Sequence, residues 1–341
     1  MYVRNAWYVI AWSDEIGRTP LKRTVLGEDI VLFRRMDGTS VALADRCAHR
    51  AYPLSAGELI EDNIRCGYHG FEYDRTGMCV RVPAQDRIPP RARVRAYPLV
   101  EAHRWVWIWL GDPDKAELTP VPDTHWMTDP QWDRVTHTRL FECGAELVHD
   151  NLLDLTHEAF LHQSSIGDEA VYRNGVTVEV DGDVVSVDRF MPSCHPSPLF
   201  AKVTGTTLVD RWHTTEFRLP SIHVIHAGVV EPGGKREDGF LLEVLNAITP
   251  QTDKTCWYFY GFCRNFAVGD TATNDTLREN LGAVLDEDAD ALALQQRGMS
   301  TRPADVPDVL IGQDAGVAKA RRLYAKLLAE ETAAAASTGS R

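Results

Sequence analysis

The chain has 341 residues, 44% hydrophobic and 25% charged, which is room and material for about two globular domains. Its 36 Lys and Arg against 49 Asp and Glu leave a net charge of −13, which argues against nucleic acid or an anionic membrane as a partner. No stretch of about eighteen apolar residues is present to cross a bilayer, and Met1 to Trp12 has neither an apolar core nor a cleavage site for secretion. Seven scattered cysteines give no disulfide framework, so a reducing cytoplasm is the expected setting.

Residues 1–110 read as many short strands. Apolar and β-branched residues cluster in Arg23–Arg34, Val41–Asp45 and Trp105–Leu110, with turns signalled by Asp37-Gly38, Ala56-Gly57 and Thr76-Gly77. Between them lie Cys47-Ala48-His49 and Cys66-Gly67-Tyr68-His69, sixteen residues apart. Each stretch offers one thiolate and one imidazole. A Rieske [2Fe–2S] centre uses that set, with two cysteines on one iron and two histidines on the other. A single structural zinc is the competing reading, although such sites usually pair like residues in C-x2-4-C and H-x3-5-H. Gly67 and Gly70 permit tight turns around the second pair, and Pro53 stiffens the loop after the first.

Gly111 to Asp123 holds Pro113, Pro120 and Pro122 and reads as a linker. The boundary is placed there, giving residues 1–112 as one domain and 113–341 as the other. Glu142–His162 is predicted to be one helix with Asp150, Asp154 and His157 on a single face, and His162 near its end. A loop follows from Gly167 to about Gly175. Strands are predicted over Val176–Val180, Val184–Arg189, His223–Val230, Leu241–Ile248 and Trp257–Phe262, forming one larger antiparallel sheet. Asn274–Arg297 reads as a long helix ending before Gly298, with Leu277, Leu281, Val284, Leu285 and Leu292 as its buried stripe. Asp288 falls inside that stripe, where a carboxylate is costly to bury unless it is paired or binds a metal. A last helix is predicted over Ala315–Glu331, capped by Asp314, with a frayed tail from Thr332.

These residues suggest a second metal. Two histidines and one carboxylate form the facial triad of non-haem Fe(II) oxygenases, which leaves positions open for O2 and substrate. His157, His162 and Asp288 are the candidates. Asp154, one turn before His157, is a candidate acceptor for a hydrogen bond from a ligating imidazole. His149 is a rival by type but sits about 12 Å from His157 along a helix axis.

With these motifs together, the chain resembles the Rieske non-haem iron oxygenases, and within them the oxygenase components of the vanillate O-demethylase and dicamba monooxygenase group. The resemblance covers nearly the whole chain. It includes Val3-Arg4-Asn5-Ala6-Trp7-Tyr8, Cys47-x-His49, Cys66-x2-His69, Asp150 to His157 with His162, Arg264-Asn265-Phe266 and Glu287-Asp288. It implies an α+β protein: an N-terminal all-β Rieske [2Fe–2S] domain followed by a helix-grip catalytic domain with an antiparallel sheet. It further implies that His157, His162 and Asp288 bind a mononuclear Fe(II), with Asp286 and Asp290 as nearby alternatives to Asp288. In the implied head-to-tail homotrimer, Asp154 bridges the cluster of one subunit to the iron of its neighbour. NADH would act through a separate flavin and iron–sulfur reductase, with O2 as co-substrate. His226 and Asn246 align with polar pocket positions, where either could bind the carboxylate or phenol of an aromatic acid. The two residue classes are reversed relative to the dicamba enzyme, which favours a vanillate-like substrate.

The leading expectation is O-demethylation of a methoxylated aromatic acid with release of formaldehyde. Ring hydroxylation is the alternative within the same fold. An electron-transfer Rieske protein with two irons per chain instead of three, or a zinc protein, would be of a different class.

Overall fold

The computed structural model describes residues 1–163, 166–303 and 305–338. It divides into two compact units. One comprises Tyr2–Val121 with Thr249–Thr252; the other comprises Pro122–Ile248 and Asp253–Arg341, with Met1.

The first unit is built from short strands: β1 (Trp7–Trp12), β2 (Leu21–Val25), β3 (Glu28–Arg34), β4 (Ser40–Ala44), β5 (Glu58–Ile60), β6 (Asn63–Arg65), β7 (Glu72–Tyr73), β8 (Cys79–Arg81), β9 (Leu99–Ala102) and β10 (Trp105–Trp109). They form three antiparallel sheets, ordered β1-β10-β9, β2-β3-β4 and β5-β6-β7-β8. The Arg23–Arg34 stretch is a hairpin, because Leu26 and Gly27 both take positive φ and reverse the chain. β1 and β10 are buried at every position, so they read as unbroken apolar runs. The short helix α1 (Pro113–Ala116) follows, with Asp112 accepting the Asp114 N–H as its cap.

The second unit is organised on β11 (Asp133–Phe141), β12 (Thr177–Asp181), β13 (Val184–Cys194), β14 (Val209–Arg218), β15 (Ile222–Val230), β16 (Phe240–Thr252) and β17 (Thr255–Arg264). They form one antiparallel sheet in the order β11-β17-β16-β15-β14-β13-β12. Its helices are α2 (Ala145–Leu153), α3 (Glu158–Leu161), α4 (Glu169–Arg173), α5 (Pro198–Thr204), α6 (Thr271–Thr301) and α7 (Ala315–Thr338). Leu277, Leu281, Leu285 and Leu292 of α6 share one core cluster with Leu152 of α2 and with Tyr258, Tyr260 and Phe262 of β17. A smaller cluster joins Val317 and Ala320 of α7 to Leu153, Val185 and Phe217. This is the α+β class and the antiparallel sheet that the sequence predicts.

Four local readings are corrected. The helix predicted over Glu142–His162 breaks at Asp154, which is extended (φ −120°, ψ 90°), and a 3-10 turn, Leu155–His157, separates α2 from α3. The break arises because the Asp154 carboxylate accepts both the N–H and the hydroxyl of Thr156, which competes with the helical ladder. β11 and β14 are strands that the sequence pattern does not announce. α6 continues through Gly298 and stops at Arg302, which precedes Pro303 and is held extended. α7 runs on to Thr338, since an alanine run favours helix, and Asp314 instead accepts the Ile311 N–H at 2.7 Å. The last part of the predicted frayed tail, 339–341, lies outside the described residues.

Candidate metal centres

The candidate cluster residues occupy two loops with the same backbone wiring. In the loop after β4, Cys47 N–H donates to Tyr52 O and Ala51 N–H donates to Cys47 O, each at 2.9 Å. In the loop after β6, Cys66 N–H donates to Phe71 O (2.8 Å) and Gly70 N–H donates to Cys66 O (3.0 Å). The fourth residue after each cysteine, Ala51 or Gly70, has positive φ. A Cβ on Gly70 would also stand 2.8 Å from Pro83 Cγ, so glycine is doubly required there. Both sulfurs turn inward, Cys47 being 3% and Cys66 2% exposed. The two imidazoles emerge at the exposed tip, with ring centroids 4.6 Å apart and a T-shaped angle of 71°.

Thiolates inside and imidazoles outside suit a two-iron centre with one iron per residue type. They do not form a single-ion cage. Among the described residues, only one group of three or more His, Cys, Asp or Glu donors falls within 4.8 Å of one another, and it lies in the other unit. Tyr73 Oη accepts the Ala48 N–H (3.0 Å) and lies 3.2 Å from Cys47 Sγ, and toward a cluster thiolate, which only accepts, the phenol is the donor. Burial and the Cys47 sulfur push the Tyr73 pKa far up, keeping that hydrogen in place. Burial also raises the Cys66 pKa, against the lowering effect of the Tyr68 and His69 N–H groups.

The second centre draws on three elements. His157 ends the 3-10 turn, His162 caps α3, and Asp288 lies on the buried stripe of α6 at 7% exposure. Asp288 Oδ1 is 3.2 Å from His162 Nε2 and 3.6 Å from His157 Nε2. The opposite ring nitrogens are already engaged: His157 Nδ1 with the Asp154 carbonyl (2.8 Å) and His162 Nδ1 with Glu287 Oε2 (2.7 Å). A carbonyl or carboxylate only accepts, so both imidazoles carry their proton on Nδ1 and present Nε2 to the centre. The donor set and the shared focus fit a 2-His-1-carboxylate ion. For His162, burial favours the neutral ring, but the bonds and charge of Asp288 and Glu287 outweigh it and raise the pKa. Asn151 adds an amide, donating to Asp288 Oδ1 at 3.2 Å, with His157 Nε2 3.3 Å away. Gly167 lets the following loop close on α3, since a Cβ there would overlap the Glu158 carbonyl.

Asp154 touches His157 through its backbone carbonyl, while its Oδ1 accepts the N–H and hydroxyl of Thr156. Asp154 thus accepts a hydrogen bond from an imidazole of the centre, as the sequence leads one to expect, but through its carbonyl rather than its carboxylate. His149 is no rival ligand. It is buried, its Nδ1 is 2.9 Å from His223 Nε2, and its ring stacks on Phe217. Burial alone lowers its pKa to about 3.

A cavity of about 120 Å³ adjoins His157, His162 and Asp288. Its remaining wall is mostly apolar, including Ile225, Val244, Tyr258, Tyr260 and Leu285. A dry cavity of about 150 Å³ holds benzene, so this space suits one aromatic ring. Asn246 lines it, with Oδ1 accepting from Tyr258 Oη at 2.8 Å. His226 does not line it. Ile225 and Ala227 of β15 face the cavity, so strand alternation turns His226 to the other side of the sheet. There it contacts Glu243 at 2.5 Å and Glu216 at 3.7 Å, and despite burial these two acids raise its pKa to about 9. The reading of His226 as a cavity residue is corrected by this register. Arg211, His213 and Glu158, which sequence reasoning passed over, do line the cavity.

Comparison with known proteins agrees with this geometry. A Rieske [2Fe–2S] domain model matches residues 6–98, and a vanillate O-demethylase oxygenase C-terminal domain model matches 141–330. The chain belongs to the Rieske non-haem iron oxygenases. This oxygenase is 34% identical to the vanillate O-demethylase oxygenase subunit of Pseudomonas sp. strain HR199, over 98% of its own length and 97% of that relative. It is equally 34% identical to a putative toluene-4-sulfonate monooxygenase iron–sulfur subunit of Comamonas testosteroni, over 97% and 98%. Dicamba monooxygenase bound to 3,6-dichlorosalicylic acid superposes with a TM-score of 0.93 at 32% identity, covering 98% of this chain and 99% of that one. A [2Fe–2S] cluster and a non-haem iron are therefore the oxygenase's cofactors. Among the described residues, no helix is long and apolar enough to cross a membrane.

Proposed function

We propose that this oxygenase is the terminal component of a multicomponent monooxygenase that O-demethylates a methoxylated aromatic acid such as vanillate. The observation that carries the reading is a ring-sized, largely apolar cavity walled on one side by His157, His162 and Asp288. The one-third identity to a vanillate O-demethylase component supports it. Cys47, His49, Cys66 and His69 hold the cluster, and His157, His162 and Asp288 hold the iron. When bound, a ferrous ion on two imidazoles and one carboxylate supplies O2 chemistry at its open positions.

The protein's own groups then have defined tasks. Glu287 and the Asp154 carbonyl fix the two imidazole orientations. The apolar walls position the ring and exclude water, and Asn246 fixes the Tyr258 hydroxyl in that wall. Adding one oxygen atom to the methoxy carbon gives a hemiacetal, which breaks into formaldehyde and a phenol. Asp154 acts as the bridge between the cluster of one subunit and the iron site of the next in a homotrimer. A flavin and iron–sulfur reductase drawing on NADH is the partner.

Purified, iron-loaded protein with a compatible reductase, NADH, O2 and vanillate should release formaldehyde matched to protocatechuate. A hydroxylated product that retains its methoxy carbon would replace demethylation by ring hydroxylation. An iron content of about two per chain would reduce the protein to an electron carrier.

A further inference from the structure

β17 turns Tyr258, Tyr260 and Phe262 to the cavity, because alternate residues of a strand share a face. Gly261 between them points to the other side, where a Cβ would stand 2.7 Å from Met127 Sδ. The two tyrosine rings are neighbours, with centroids 6.2 Å apart, yet their hydroxyls differ. Tyr258 Oη donates to Asn246 Oδ1 at 2.8 Å, and the Asn246 amide donates to Val244 O at 3.2 Å, so that hydroxyl is committed within the wall. Tyr260 Oη has no hydrogen-bond partner among the described residues. Unlike Trp105 Nε1 or His223 Nδ1, it is not sealed inside the protein without one. Tyr260 is only 8% exposed and lines the cavity, so the open side of its hydroxyl is the cavity. Burial foremost, and then the charge of Asp288, push its pKa far up, so the hydroxyl keeps its hydrogen. Asp288 lines the same space of about 120 Å³, where a ring that meets the three ligand side chains also meets Tyr260. Once a ring displaces water, a donor left without an acceptor there is costly.

We propose that the Tyr260 hydroxyl donates a hydrogen bond to an oxygen carried on the substrate ring, and so selects an alkoxy ring over an alkyl ring of the same shape. The proposal rests on reading the cavity as the substrate site. An ether oxygen accepts this bond, whereas a methylene in its place leaves the donor unmet. The oxygen thereby also fixes how the ring is turned toward His157, His162 and Asp288. Tyr258 cannot substitute, since its hydrogen is held by Asn246. Ser197, 4% exposed, carries the remaining hydroxyl of the wall and serves as the control.

The test is calorimetric binding of 3-methoxybenzoate and 3-ethylbenzoate to the iron-loaded enzyme. The two acids differ by an ether oxygen in place of a methylene. A methylene gains more from burial than an ether oxygen, so without a donor the ethyl acid binds at least as tightly. The wild type should instead bind the methoxy acid about 3–10-fold more tightly. Equal binding, or an ethyl preference, would overturn the proposal without any variant. Tyr260→Phe should remove the methoxy preference while ethyl binding holds, and Ser197→Ala should leave the preference in place. Equal losses for both acids in Tyr260→Phe, or a preference unchanged there, would reduce Tyr260 to packing. A preference lost in Ser197→Ala would move the donor to Ser197. If Tyr260→Phe does not fold, the wild-type order and the Ser197→Ala control decide between the two hydroxyls. Failure of both acids to bind would remove the cavity as a site for a substituted benzoate, and the proposal with it. A methoxy preference with ring hydroxylation as the reaction would keep the role of Tyr260 and remove demethylation. Formaldehyde release without a methoxy preference would do the reverse.

Discussion

The two units hold their candidate metal-binding residues in opposite ways. In the first, two loops with the same hydrogen-bond wiring each supply a cysteine and a histidine, and the histidines stay exposed. In the second, His157, His162 and Asp288 come from a broken helix and from a long helix over a hundred residues later, and two of the three are buried. Charge divides the same way. The first unit has 17 Lys and Arg against 16 Asp and Glu, leaving 19 against 33 for the other. The acid surplus is thus confined to the catalytic unit. A local loop can build an electron-transfer site by itself, whereas a site that must also exclude water needs a whole core around it.

The contrast breaks most sharply if the two centres depend on each other. Cys66→Ser should leave about one iron per chain and no cluster absorbance, while His162→Ala should leave about two and an intact cluster. Both should lose turnover entirely, read by iron assay and formaldehyde release. If either variant lost all its iron, the centres would not be independent. Asp154→Asn should keep both centres loaded and the Thr156 cap satisfied, since an amide oxygen still accepts, yet turnover should fall to background. Near-normal turnover would remove its bridging role. Glu287→Gln and Asn151→Ala should each lower iron affinity by roughly 10–100-fold, measured by chelator competition, without altering the cluster.

Smaller effects sharpen the comparison. Tyr73→Phe removes one hydrogen bond to Cys47, about 0.5–1.5 kcal/mol, which should lower the cluster potential by roughly 20–65 mV at 59 mV per tenfold. A potential that does not move would place that hydrogen elsewhere. His226 is raised to about 9 in the fold by Glu216 and Glu243, from about 6.5 unfolded. Its contribution to stability is therefore full below the unfolded pKa and disappears as pH rises through about 9. The melting temperatures of wild type and His226→Gln should differ at pH 6 and converge above pH 9. A gap independent of pH would mean packing rather than charge.

The cluster pairs were legible because a hairpin loop keeps its ligands two and three residues apart in sequence. Asp288 was legible because a carboxylate inside a leucine stripe must be buried, and burial demands a cationic or metal partner. β14 was illegible for a related reason: Arg211 and His213 occupy its cavity-facing positions, so the apolar alternation that announces a strand is missing. The break at Asp154 was hidden because helical periodicity continues across it, and only the competing bonds to Thr156 end the helix. His226 was misread because the type of residue in a strand does not reveal which face it takes. A shift of one residue exchanges cavity for outer face.

By itself the sequence determined the class of fold and singled out the two Cys–His pairs and the 2-His-1-carboxylate set as candidates, since these depend on residue types at short spacing and on apolar periodicity. Only the tertiary structure decided which nitrogen of each histidine faces the iron site, that Glu287 and a backbone carbonyl hold those rings, and that Arg211 and His213, not His226, share the cavity. Those are matters of strand register and side-chain partners, and long-range packing sets both.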